Sequence, residues 1–111
     1  MDKLEHYRQC IKQILTEHSK VSATTDTVKI QLIFDDERGH YQLTYMGWDG
    51  DQRVFGPVMH FDIKDGKIWV QYNGTEDAVA ERLVEMGVPA SDIVLGFRSE
   101  FKRQFTCSAV R

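Results

Sequence analysis

The chain has 111 residues, 41% of them hydrophobic and 28% charged, with a formal net charge of −3. Those proportions exclude disordered, collagen-like and membrane classes and leave one soluble globular domain over residues 1–111. The longest apolar runs span a few residues, far below the ~20 that cross a bilayer. No basic start with an apolar stretch and cleavage site opens the chain, so a cytoplasmic location without membrane association is expected.

An amphipathic helix is predicted over residues 3–18. Leu4, Tyr7, Ile11, Ile14, Leu15 and His18 recur three and four apart, with Glu5, Arg8, Lys12 and Glu17 elsewhere on the wheel. Asp2 and Glu5 have the spacing of a capping box, and residues 19–27 have the composition of a connection.

The period then changes to two. Val28, Ile30, Leu32 and Phe34 alternate along one strand, and Tyr41, Leu43 and Tyr45 along the next, with a turn at residues 35–39 between them. Asp49-Gly50 signals a type I′ hairpin into a strand over about 52–63. Asp65-Gly66 repeats the signal before a strand over 67–72, with Ile68, Val70 and Tyr72 on one face. Connections this short make neighbours antiparallel. The fold class is therefore α+β, a four-strand antiparallel meander packed with an N-terminal helix and C-terminal helices. Gly56-Pro57 conflicts with an inner strand, because proline gives no ladder hydrogen bond. A bulge or break is expected there, the alternative being a sheet rearranged to put the segment at an edge.

Residues 76–86 return to helical spacing through Val79, Ala80, Leu83 and Val84, entered by Asn73 or Thr75 as N-cap. Gly87 supplies a left-handed stop and Pro89 prevents resumption. Ile93-Val94-Leu95 belongs to the core, as strand or as helix. Ser99–Gln104 is predicted as a short helical turn, with Phe101 and Phe105 facing inward.

His60 and Asp62 alternate onto one face of the third strand, a pairing that can hold a metal or orient a general base. No third ligand stands at a fixed spacing, although His40 approaches from the second strand if the register allows. A hydrogen-bonded histidine is the plainer reading, so no metal or cofactor is expected, with His60 and Asp62 as the weak candidates. Glu100-Phe101-Lys102 is formally E-x-K, but a turn or short helix cannot aim those groups at a metal shared with Asp62. Cys10 and Cys107 lie at opposite ends without metal or redox spacing and are taken as packing residues or free thiols. Ser91, Ser99 and Ser108 lack a nucleophile elbow, and no phosphate-binding glycine motif occurs.

Nucleic-acid contact is limited by charge. Arg98, Lys102, Arg103 and Arg111 stand against Glu100 in the last fourteen residues, a local +3 that leaves −6 on residues 1–97 of a chain whose total is −3. Such a chain lacks the broad cationic face that phosphate affinity needs. Tyr41, Tyr45, Trp48, Phe55, Phe61, Trp69 and Tyr72 could stack bases, but interleaved cations are scarce beyond Lys67 and packing accounts for them better. Large apolar residues fall on both sheet faces, with Trp69, Met46, Met59 and Ile33 free to point away from Ile68, Leu43 and Tyr41. That surplus predicts association with itself or with another protein.

Taken together, Leu4–Leu15, the strand Val28–Phe34, His40-Tyr41-Gln42-Leu43, Gly47-Trp48, His60–Trp69 and Gly87–Thr106 resemble the XisI family, small cyanobacterial proteins called fdxN element excision controlling factors. The resemblance covers essentially the whole chain. It implies a non-enzymatic role beside XisH, a nuclease-like companion, in controlling a site-specific DNA rearrangement carried out by a separate recombinase. It supplies no catalytic residue. Arg98, Lys102 and Arg103 are the candidate partner-binding residues, for an XisH-like protein or for DNA reached indirectly through the complex, and a homo-oligomer is also open. The alternatives are a small enzyme or metal-binding domain using His60 and Asp62, or an autonomous nucleic-acid-binding module.

Overall fold

Helical spacing near the N-terminus and period-two alternation after it produce two layers in the computed structural model, which describes residues 3–21, 27–75 and 78–97. Helix α1 (Lys3–Val21) is followed by strands β1 (Val28–Asp35), β2 (His40–Asp49), β3 (Gln52–Lys64) and β4 (Lys67–Asn73), helix α2 (Val79–Glu85), a 3-10 turn (Ala90–Asp92) and strand β5 (Ile93–Leu95). The five strands form one sheet in chain order. The first four are the expected antiparallel meander, and β5 adds a fifth, parallel to β4, with Ile68 opposite Ile93. That settles residues 93–95 as strand.

Each turn has a local cause. Asp65 and Gly66 both have positive φ, 56° and 74°, as a type I′ turn demands. At the β2–β3 hairpin the pair that closes the ladder is Asp49 with Gln52, so the loop is Gly50-Asp51, one residue on from the expected Asp49-Gly50. Gly50 alone has positive φ there, 63°, which fits a II′ turn with glycine first.

Pro57 is accommodated by the expected bulge, and the sheet is not rearranged to put its strand at an edge. The β2–β3 register shifts between Leu43 and Thr44, leaving Val58 as the extra residue. The β3–β4 ladder begins only at Met59 opposite Asn73, so Pro57 lies where β3 has no fourth-strand neighbour needing its missing N–H. A second shift lies between His60 and Phe61, where Gln71 is extra in β4. Tyr72, expected beside Ile68 and Val70, follows that bulge and is exposed while they are buried.

The core lies between the helices and one face of the sheet. Tyr7, Cys10, Ile11, Ile14 and Leu15 of α1 and Val79, Ala80 and Leu83 of α2 join Tyr41, Leu43, Met59, Phe61, Ile68, Val70, Val88 and Ile93 in one buried cluster. Met59, which the sequence left free to face the other way, is therefore a core residue. Helix α2 starts later than expected, with Ala78 at the N-cap and no side-chain cap bond. Asn73 instead accepts from the Thr75 amide and hydroxyl at 3.0 and 2.6 Å. Its C-terminus matches expectation: Gly87 has φ 98°, its N–H reaches the Val84 carbonyl at 3.0 Å and the Val88 N–H reaches Leu83 at 3.0 Å. This is a Schellman closure, with Val88 and Leu83 both buried against it. The proposed Asp2 cap, the turn at Ser99–Gln104 with Phe101 and Phe105, and Cys107 lie outside the described residues. Cys10 packs in the core, and burial pushes its thiol pKa up, as for an inert residue.

Candidate functional site on the open face of the sheet

Strand alternation sends Tyr41, Leu43, Phe61 and Val70 to the helices and their neighbours to the opposite face. There His40, Gln42 and Thr44 of β2 meet His60 and Asp62 of β3 and Gln71 of β4. The register decides this encounter, because His40 stands opposite Asp62 and Gln42 opposite His60. The condition attached to His40 in the sequence is thus fulfilled, and the pair His60 and Asp62 acquires a third polar group from the adjacent strand.

Asp62 is the hub. One carboxylate oxygen, Oδ1, lies 2.7 Å from His40 Nδ1 and 2.7 Å from His60 Nε2, and Oδ2 accepts from Gln71 Nε2 at 3.0 Å. His60 Nδ1 lies 2.9 Å from Gln42 Oε1, and Gln42 Nε2 donates to Thr44 Oγ1 at 2.5 Å. Burial opposes ionisation of Asp62, but hydrogen bonds from His40, His60 and Gln71 outweigh it and hold its pKa below the usual carboxylate value. The Asp62 side chain is 17% exposed and that of His40 54%, so the cluster is closed from beneath and open at one rim. One ligand-capable atom from each of His40, His60 and Asp62 fits within 4.8 Å of the others.

Gln42 and Gln71 were not singled out in the sequence. Gln42 is legible in retrospect from the period-two spacing His40, Gln42, Thr44, whereas Gln71 is brought into play by the bulge in β4. Trp69 lies opposite Asp62 with the Lys64 ammonium 5.0 Å from its ring centre.

The surplus apolar residues are also placed. Ile33, opposite Gln42 on edge strand β1, is exposed. At the end of the β2–β3 hairpin Trp48 and Phe55 are 51% and 68% exposed, with the Arg53 guanidinium 5.4 and 5.7 Å from their ring centres. Leu32 and Phe34, on the helix side of β1 opposite Leu43 and Tyr41, are also exposed. Arg98, Lys102 and Arg103 lie outside the described residues.

Comparison with known proteins follows the same residues. No protein among curated sequences matches. A crystal structure of a XisI-like protein from Anabaena variabilis ATCC 29413 is 46% identical, with a TM-score of 0.90 over 96% of each chain. The crystal structure of the fdxN element excision controlling factor XisI from the same organism is 36% identical, with a TM-score of 0.85 over 99% of this chain and 100% of that one. The family model described as XisI protein matches residues 1–110, and the chain belongs to the XisI family.

Proposed function

We propose that this protein is a non-enzymatic controlling factor for excision of a DNA element, acting by binding an XisH-like, nuclease-related partner. The observation that carries this reading is the end-to-end likeness to the fdxN element excision controlling factor XisI. An accessory role accords with the charge distribution, since −6 on residues 1–97 disfavours a grip on DNA by this chain alone. DNA is then reached through the complex. Exposed Ile33, Trp48 and Phe55 support a protein partner, because large apolar side chains beside a polar rim favour protein association. Arg98, Lys102 and Arg103 add cations for an acidic partner surface or for phosphate once the partner is present.

The test is co-expression with the XisH-like protein followed by size exclusion. Co-elution at a fixed ratio, weakened by reversing charge at Arg98, Lys102 and Arg103 or by Phe55→Asp, is expected. Two proteins that never co-elute would sink the reading. A self-association that excludes the partner would replace it with a homo-oligomer, and a gel shift by this chain alone that weakens steeply with salt would replace it with direct DNA binding.

A further inference from the structure

We propose that His40, His60 and Asp62 form a binding site for one divalent transition metal of the zinc class, with Gln42 and Gln71 orienting two of the three ligands. The inference is independent of the partner reading and rests on the geometry of the open sheet face. Two imidazoles and a carboxylate are a donor set that late first-row divalent ions prefer, and one that Mg²⁺, which favours oxygen, does not.

The three side chains come from adjacent strands in the middle of the sheet, where backbone ladders fix their spacing. Both ring nitrogens already converge on Asp62 Oδ1 at 2.7 Å. Ligands bound at about 2.0–2.2 Å around a tetrahedral ion stand roughly 3.3–3.5 Å apart, so a small outward rotation of two surface-facing rings makes room. His40, the most exposed of the three, supplies that freedom.

Supporting hydrogen bonds favour the ion. His60 Nδ1 faces Gln42 Oε1 while Nε2 faces Asp62 Oδ1, so both ring nitrogens point at oxygen acceptors. A neutral imidazole has one N–H for these two acceptors. An ion between His60 Nε2 and the carboxylate resolves this, as does a Gln42 amide turned so that its Nε2 donates to the ring and its Oε1 accepts from Thr44. A metal there leaves Nδ1–H on Gln42, the usual arrangement in which the second nitrogen of a ligand histidine is tied to an oxygen. Gln71 likewise holds Oδ2 and leaves Oδ1 for the ion. Three protein ligands leave a fourth position facing solvent, for water or a partner's side chain.

The test is isothermal titration of the full chain, stripped with chelator, against ZnCl₂ and separately against MgCl₂. One equivalent of Zn²⁺ and no Mg²⁺ uptake are expected. His40→Ala, His60→Ala and Asp62→Asn should each abolish uptake or weaken it at least tenfold, and Gln42→Ala should weaken it about tenfold. The exposed His40 variant keeps the test valid if either of the others misfolds, and circular dichroism checks all four. Cys10→Ser with Cys107→Ser should leave uptake unchanged, and the Co²⁺ form should lack sulfur-to-metal charge transfer. No Zn²⁺ binding, binding indifferent to His40→Ala, or loss of binding in the double cysteine variant would overturn the site and leave a hydrogen-bonded cluster.

Discussion

Tyr7, on the N-terminal helix, donates its hydroxyl to the carboxylate of Asp92, eighty-five residues later in the turn that leads into β5. Lys3 adds an ion pair to the same carboxylate at 3.2 Å, and its ammonium lies 5.8 Å from the Tyr7 ring centre. This contact ties the start of the described chain to the last strand of the sheet. It also fixes a phenol against a carboxylate, so that each perturbs the other's ionisation.

Removing the phenol hydroxyl should therefore loosen the ends from each other. Tyr7→Phe keeps the buried ring and deletes a hydrogen bond to a charged acceptor, for an expected loss of about 1.5–3 kcal/mol. Urea denaturation measures it, and a midpoint equal to that of the parent protein would show that Lys3 alone satisfies Asp92.

Alkali should destabilise the fold through the same residue. Burial, then the Asp92 hydrogen bond, push the Tyr7 pKa from 10.0 up to about 12, and burial pushes Tyr41 up as well. A raised phenol binds more protons folded than unfolded, so its contribution is complete below pH 10 and is lost as pH rises toward the folded value. Thermal melts between pH 9 and 12 should show a steeper fall in the parent than in Tyr7→Phe.

Acid acts through the opposite sign. The Tyr7 hydrogen bond, then that from Lys3, lower the Asp92 pKa, and hydrogen bonds from Lys12 and Tyr41 lower that of Asp36. Depressed carboxylates contribute fully above their unfolded value of 3.8 and lose that contribution as pH falls below it. Asp92→Asn should flatten the acid limb of a stability–pH curve, and an unchanged limb would place the sensitivity elsewhere.

Gly47 stands opposite Val28, at the entry to β1. A Cβ built there would stand 1.9 Å from the Thr27 carbonyl oxygen and 2.7 Å from Val28 Cα, while Trp48 N–H bonds the same carbonyl at 2.9 Å. Gly47→Ala must displace the entry to β1 or break that bond, for an expected cost of about 2 kcal/mol or more. Chemical denaturation checks it, together with faster amide exchange at Trp48.

Phe55→Ser should separate stability from association. The ring is largely exposed, so the folded state should change by no more than about 0.5 kcal/mol. Co-elution with the proposed XisH-like partner should nevertheless fall, and a variant that co-elutes as the parent does would move the proposed interface away from the hairpin end.

Element types were legible where one periodicity dominated. The apolar spacing from Leu4 to Leu15 defined the helix, the alternation in Val28–Phe34 and Tyr41–Tyr45 defined strands, and Gly87-Val88-Pro89 marked the end of α2. Ile93-Val94-Leu95 could not be assigned from three apolar residues, because either a strand or a helical turn buries them. Its place beside β4 depends on a parallel pairing that no local signal encodes. The N-cap of α2 was misplaced because Asn73 bonds its own turn, a local competitor that composition does not reveal.

The polar site divides in the same way. By itself the sequence determined that His60 and Asp62 share a face, since a strand's side chains alternate whatever surrounds them. It equally determined the acidic balance of residues 1–97 and the supply of apolar residues for two sheet faces. Tertiary structure alone decided that His40 reaches Asp62 and that Gln42 and Gln71 hold the cluster from either side. The reason is register: two bulges, at Val58 and Gln71, set which residues of β2, β3 and β4 stand opposite one another, and a shift of one residue would have turned these groups to different faces.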